Sequence, residues 1–308
     1  MPEPIRIHSA APPNHLSCPE LRVRPSDDGA AISVTPERAG WRHLSFRVAA
    51  LAQGETVDAG TDGQEAVVVT ISGGGVRVTH GPGREAINLP GRSSPFDALP
   101  WSVYLPAGIP GTVVGRPDGT GPGGRAIVAI AEAPRSGFER GADAPFVIEP
   151  GDVRVEVRGA GNATRQINVI VGPDSPADRL EVVEVLTPSG NWSSWPPHKH
   201  DRDDMPGEAV LEEIYYYRFR RPGAWGLQRV YRGDRSRDCL TEVRDGDCVL
   251  VTDGYHPFVA AHGDDAYYLN ALAGDRRTMA ASFDPDLDWV RETWPAMGPD
   301  PRVPLVVR

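Results

Sequence analysis

Two histidines one residue apart, His198 and His200, follow the Pro196-Pro197 pair in a chain that has only eight histidines. On an extended strand alternate side chains share a face, so this spacing puts both imidazoles on one side. Two imidazoles side by side are half of a metal site. The other half can be drawn from two places downstream. Glu212 or Glu213 opens the run Glu-Glu-Ile-Tyr-Tyr-Tyr, and His256 follows Gly246-Asp247-Cys248-Val249-Leu250-Val251-Thr252-Asp253-Gly254-Tyr255, which reads as a strand and a turn. Three imidazoles and one carboxylate suit one divalent ion, Zn or Mn before Fe, Ni or Co, and the donor set alone does not choose among them. Whichever of Glu212 and Glu213 faces the ion, alternation turns the other away. Lys199 is the single lysine among 32 Lys and Arg residues. It alternates away from the histidines, so a carboxylate partner outside the site is expected for it.

The elements that must position these groups read as strands. Thirty-four glycines and 31 prolines along 308 residues argue for many turns and few long helices. Short apolar runs bounded by Gly, Pro, Asp or Asn recur at 44–51, 65–71, 75–79, 102–105, 111–114 and 126–131, then again at 166–171, 180–186, 212–219, 226–231, 247–251 and 266–272. This predicts an all-β chain of two sandwiches of similar length. The expected division is an N-terminal arm over 1–40, a first domain over 41–146, a second over 147–284 and a tail over 285–308 with a helical turn at 287–293. The segment 119–124 is expected to be a loop.

A net charge of −10 and a pI of about 5.3 argue against a nucleic-acid partner. No apolar run approaches the roughly 20 residues of a membrane helix, and no basic-then-apolar leader opens the chain. Cys18, Cys239 and Cys248 are odd in number and widely spaced, so a disulfide framework is not expected and a reducing, cytoplasmic setting is.

Gly190-Asn-Trp-Ser-Ser-Trp-Pro-Pro-His-Lys-His-Asp201, Glu212-Glu-Ile-Tyr-Tyr-Tyr217, Gly254-Tyr-His-Pro257 and Tyr267-Tyr-Leu-Asn-Ala-Leu-Ala-Gly274 together resemble the 5-deoxy-glucuronate isomerases of myo-inositol catabolism, a branch of the cupin superfamily. The segments Gly91-Arg-Ser-Ser-Pro-Phe-Asp97 and Asp300-Pro-Arg-Val-Pro-Leu305 fit as well. The resemblance runs from about Trp41 to the C-terminus. It implies a bicupin of two jelly rolls, with a metal in the second held by His198, His200, Glu213 and His256. Cupin spacing places an extra loop over 202–211. The first half, whose His43 and His80 are isolated, would be a metal-free cupin.

The implied reaction is an aldose–ketose isomerisation of 5-deoxy-D-glucuronate to 5-dehydro-2-deoxy-D-gluconate. A metal that chelates the aldehyde oxygen and its neighbouring hydroxyl would ease removal of the C2 proton, and a base must carry that proton to the next carbon. Tyr215 and Tyr217 share the face of Glu213 and are the candidates for handling hydroxyl protons. Arg229 is the candidate for the substrate carboxylate, since a guanidinium offers two parallel donors. The small sugar acid is the expected partner, with a homo-oligomer possible. The rival readings are an iron dioxygenase on the same ligand set, which would consume oxygen, and a non-enzymatic sugar-binding cupin.

Overall fold

A computed structural model describes residues 18–307, apart from 26–30, 82–83, 117–123 and 137–140. The loop expected at 119–124 thus lies almost wholly outside the described residues. Each half of the chain builds one large and one small antiparallel sheet. In the first half the large sheet has the spatial order Phe146–Ile148, Ser102–Leu105, Gln64–Gly73, Ala126–Pro134, Ser45–Leu51, Ala31–Val34. The small one runs Thr56–Ala59, Gly111–Gly115, Val76–His80, Ile87–Leu89.

In the second half the large sheet runs Arg22–Val23, Cys248–Val251, Glu208–Phe219, Ala266–Gly274, Glu181–Thr187, Arg165–Val171, Arg154–Arg158. Its small partner runs Trp192–Ser193, Phe258–Ala260, Trp225–Tyr231, Asp238–Arg244. The short strand His198–Lys199 pairs with Ser282–Phe283, so the stretch just before the tail clamps the histidine segment. The extra loop expected at 202–211 is a hairpin. Asp201–Asp204 turns back through Met205-Pro206-Gly207 onto Glu208–Phe219, with the Gly207 amide donating to the Asp204 carbonyl at 3.0 Å. A proline and a glycine side by side set that turn.

Three apolar layers hold the four sheets. One lies inside each sandwich, and the largest lies between the two large sheets. Alternation lets one strand serve two of them. Along Glu208–Phe219, Ile214 and Tyr216 enter the layer between the halves, whereas Tyr215, Tyr217 and Phe219 enter the second sandwich.

The halves are joined reciprocally. Phe146–Ile148, which precedes the second half, edges the sheet of the first, and the 146/147 division falls inside it. Arg22–Val23, which precedes the first half, edges the sheet of the second. Of the described residues before 41, Arg22–Val23 and Ala31–Val34 are paired into the large sheets of the second and first halves. Two carboxylates repeat the exchange. Glu212 accepts the backbone N–H groups of Arg42, His43 and Leu44 at 2.6, 2.9 and 2.8 Å. Glu65 accepts those of Asp178, Arg179 and Leu180 at 2.7, 2.5 and 2.7 Å, together with the Tyr104 hydroxyl at 2.6 Å. Between these anchors Arg92 is buried against Glu184, which also accepts from the Tyr267 hydroxyl at 2.7 Å.

One expectation is overturned. Cys18 and Cys239 form a disulfide, with Cα atoms 5.6 Å apart and 221 residues between them in sequence. The fold brings them within bridging reach by laying the N-terminal strand against the second half, which no cysteine spacing reveals. The inference from cysteine spacing to a reducing compartment therefore does not stand. Among the described residues no helix is long and apolar enough to cross a membrane.

Candidate active site and metal centre

The sequence-predicted ligands converge inside the second sandwich. His200 comes from the bend after His198–Lys199, Glu213 from the long strand Glu208–Phe219, and His256 from the turn after Cys248–Val251. Their ligand atoms all lie within 4.8 Å of one another, and all three residues are buried. His198 stands beside them, its ring centroid 4.7 Å from that of His256 and 6.4 Å from that of His200.

Hydrogen bonds fix which nitrogen each ring presents. His200 Nδ1 donates to the Leu211 carbonyl at 2.9 Å, and His256 Nδ1 donates to the Gly254 carbonyl at 2.9 Å. Anchoring one ring nitrogen on a backbone carbonyl is how metal-ligating imidazoles are commonly oriented. The free Nε2 atoms then point inward. His200 Nε2 lies 2.9 Å and His256 Nε2 3.3 Å from the same Glu213 oxygen. His256 Nε2 is within ion-pair distance yet has no hydrogen bond of acceptable geometry, so it is an orphaned buried atom. Lone pairs that face a carboxylate at such distances repel unless a proton or a cation sits between them. The donor set therefore fits a cation.

Electrostatics agree. Burial would raise the Glu213 carboxyl, but the hydrogen bond from His200 and the nearby His256 imidazole win and hold it down at about 2. Burial, reinforced by the neighbouring imidazoles of His256 and His200, pushes His198 well below the usual histidine range and keeps it neutral. For His200 burial works against the proton, and the Glu213 bond outweighs it, so its pKa is raised.

Lys199 keeps the assembly rigid from outside. Its Nζ donates to Asp201 at 2.6 Å and to both Glu208 oxygens at 2.7 and 2.9 Å. Asp201 in turn accepts the Gly254 amide at 2.8 Å, which ties the His198–His200 segment to the turn carrying His256.

A cavity of about 150 Å³ opens over the histidines, lined among others by His198, His200, Glu213, Tyr215, Tyr268, Asn270 and Arg165. Tyr215 is in place there, its hydroxyl 2.9 Å from Ser194 Oγ, and burial pushes its pKa well above the ordinary value. Tyr268 donates to Ser193 Oγ at 3.0 Å and is pushed up to about 12, again by burial. Both phenols thus stay protonated near neutral pH.

The other two candidates lie elsewhere. Tyr217 is fully buried, bonds Gln228 and stacks near Phe258, and it is not among the lining residues. Arg229 is outside the cavity, with its fork closed on Asp238 at 2.7 and 2.6 Å and its guanidinium over the Tyr231 ring. Of the arginines that do line the cavity, Arg154, Arg158 and Arg165, the buried one is Arg165, which nothing in the composition separates from the rest. A signal was present in its register, since Arg165 shares a strand face with Ile167 and Val169, and a cation on an inward apolar face is unusual.

Comparison with known proteins places this geometry. An oxalate decarboxylase from Lactobacillus farciminis has the same fold at 11% identity, with a TM-score of 0.56 over 85% of this chain and 88% of that one. An IolB-like protein from Salmonella typhimurium LT2 superposes with a TM-score of 0.79 at 34% identity, over 88% of this chain and 99% of that one. The 5-deoxy-glucuronate isomerase of Geobacillus kaustophilus is 43% identical over 270 residues, 87% of this chain and 93% of that protein. With the KduI/IolB family model matching residues 21–290, the all-β chain of two cupin sandwiches belongs to the KduI/IolB family.

Proposed function

We propose that this isomerase converts 5-deoxy-D-glucuronate to 5-dehydro-2-deoxy-D-gluconate in a metal-dependent reaction. The observation that carries the reading is the buried cluster of His200, Glu213 and His256 beneath a small cavity, in a chain similar to enzymes named 5-deoxy-glucuronate isomerase. His200, Glu213 and His256 would hold a divalent cation, with His198 beside them. Such a cation, when bound, supplies Lewis acidity toward a carbonyl oxygen and its neighbouring hydroxyl.

The chain's own residues supply the rest. Glu213 stays ionised and accepts at the centre of the cluster. The Tyr215 hydroxyl, paired with Ser194, and the Tyr268 hydroxyl, paired with Ser193, present protonated phenols to the substrate's hydroxyl groups. Ile167, Val183, Val185 and Leu272 form an apolar part of the wall.

The test is turnover of 5-deoxy-D-glucuronate without oxygen, followed by NMR, with and without EDTA. The 2-deoxy-5-keto acid should appear, vanish on chelation and return with Mn²⁺ or Zn²⁺. Activity that requires oxygen would favour an iron dioxygenase instead, and activity indifferent to chelation would remove the metal from the mechanism.

A further inference from the structure

Three arginines line the second sandwich's cavity and a fourth, Arg229, lies outside it; all but Arg165 are engaged with carboxylates. Arg154 bonds Glu156 and Asp174 at 3.0 Å each, Arg158 bonds Glu156 at 2.6 Å, and Arg229 bonds Asp238 outside the cavity. Arg165 is different. It is only 6% exposed, yet among the described residues no carboxylate lies within ion-pair distance of it. Its two hydrogen bonds both use Nη1 and both go to backbone carbonyls, of Ala163 and Trp195, at 3.2 Å. Among the described residues Nη2 and Nε have no acceptor, and the residue lines the same cavity as His198, His200 and Glu213. A buried guanidinium with no anion carries a standing desolvation cost, which an incoming carboxylate relieves.

Resting on the proposed isomerase reading, we infer that Arg165 is the seat of the substrate's carboxylate and the residue that makes the enzyme select an acid over a neutral sugar. The two carbonyl bonds hold the Nη1 edge in place and leave the other edge of the fork for a carboxylate's parallel oxygens. Arg158, opposite Arg165 in the strand register, adds positive charge at the same end. With the acid end held there, the carbonyl end of a short chain extends toward the histidine cluster across the cavity. Burial lowers the Arg165 pKa to about 10, which still leaves it cationic at neutral pH.

The experiment compares two ligands that differ only at the last carbon, 5-deoxy-D-glucuronate and 5-deoxy-D-glucose. Wild-type and Arg165→Met proteins, both metal-loaded, are measured by calorimetry and by turnover. Arg165→Lys and the thermal midpoint serve as folding controls. In Arg165→Met we expect kcat/KM and affinity for the acid to fall about 100-fold or more, with the neutral sugar changed by less than about threefold, so that the preference collapses. Arg165→Lys should recover part of the preference, because it restores charge without the fork. An equal loss for both ligands, or an unchanged ratio, overturns the assignment and leaves Arg165 a brace for the Ala163 and Trp195 carbonyls. The two readings separate cleanly. Wild-type protein that binds the acid through Arg165 without isomerising it keeps the seat and removes the reaction, whereas turnover unaffected in Arg165→Met keeps the reaction and removes the seat.

Discussion

Glu181 shows how much one residue's surroundings govern its charge. It is 1% exposed, and among the described residues neither carboxylate oxygen has a hydrogen-bond partner of good geometry. Burial pushes its pKa up to about 7 from an ordinary 4.5, with the Arg277 charge opposing. Between those two values the folded protein holds a proton that the unfolded chain has released. Stability therefore falls as pH rises through the window, and the full penalty is present above about pH 7. A gap of that size corresponds to about 3 kcal/mol. Glu181→Gln should remove the penalty. Urea unfolding of chelator-stripped protein should show the variant ahead of wild type at pH 8, with most of the advantage gone at pH 4.5. An advantage that stays constant with pH would contradict the assignment. At this scale the members of the buried cluster were legible as candidates, because His200, Glu213 and His256 stand in motifs whose spacing can be read from the chain. Arg165 left only the trace in its strand register, because its distinction is a missing partner, and partners belong to the fold.

Among the elements, the strand Glu208–Phe219 carries the clearest consequence of alternation. Tyr216 packs between the halves, near Phe46, and Tyr215 faces the cavity. Tyr216→Ala should cost about 3–5 kcal/mol by leaving a cavity in the largest apolar layer, with metal content per folded molecule unchanged. Tyr215→Phe should cost only about 1 kcal/mol, since it removes one hydrogen bond and keeps the ring. Denaturant melts and metal analysis of both variants check this, and similar losses of stability would refute the division of labour. The same alternation explains which strands the sequence announced. Glu208–Phe219, Ala266–Gly274 and Gln64–Gly73 are long, apolar and central, and they were legible. Arg154–Arg158 and Asp238–Arg244 are sheet edges rich in charge, and their pattern reads as loop until a neighbour is present. Of the helical turn expected at 287–293, only Val290–Thr293 is α-helical.

Across the whole molecule the two halves depend on each other. Glu212→Ala would leave the amides of Arg42, His43 and Leu44 buried without their acceptor. The expected loss is about 3–5 kcal/mol in urea, and Glu65→Ala should cost a similar amount from the opposite side. A loss below about 1 kcal/mol for either would mean that water replaces the carboxylate. The likeness of the two anchors extends to the strands, since each half gives its preceding strand to the other's sheet. An interface in which each side offers the other the same device is isologous in kind, the form that two identical subunits adopt around a twofold axis. Here both sides lie on one chain. What would be an association governed by protein concentration has become intramolecular, so the two halves stay paired at any dilution.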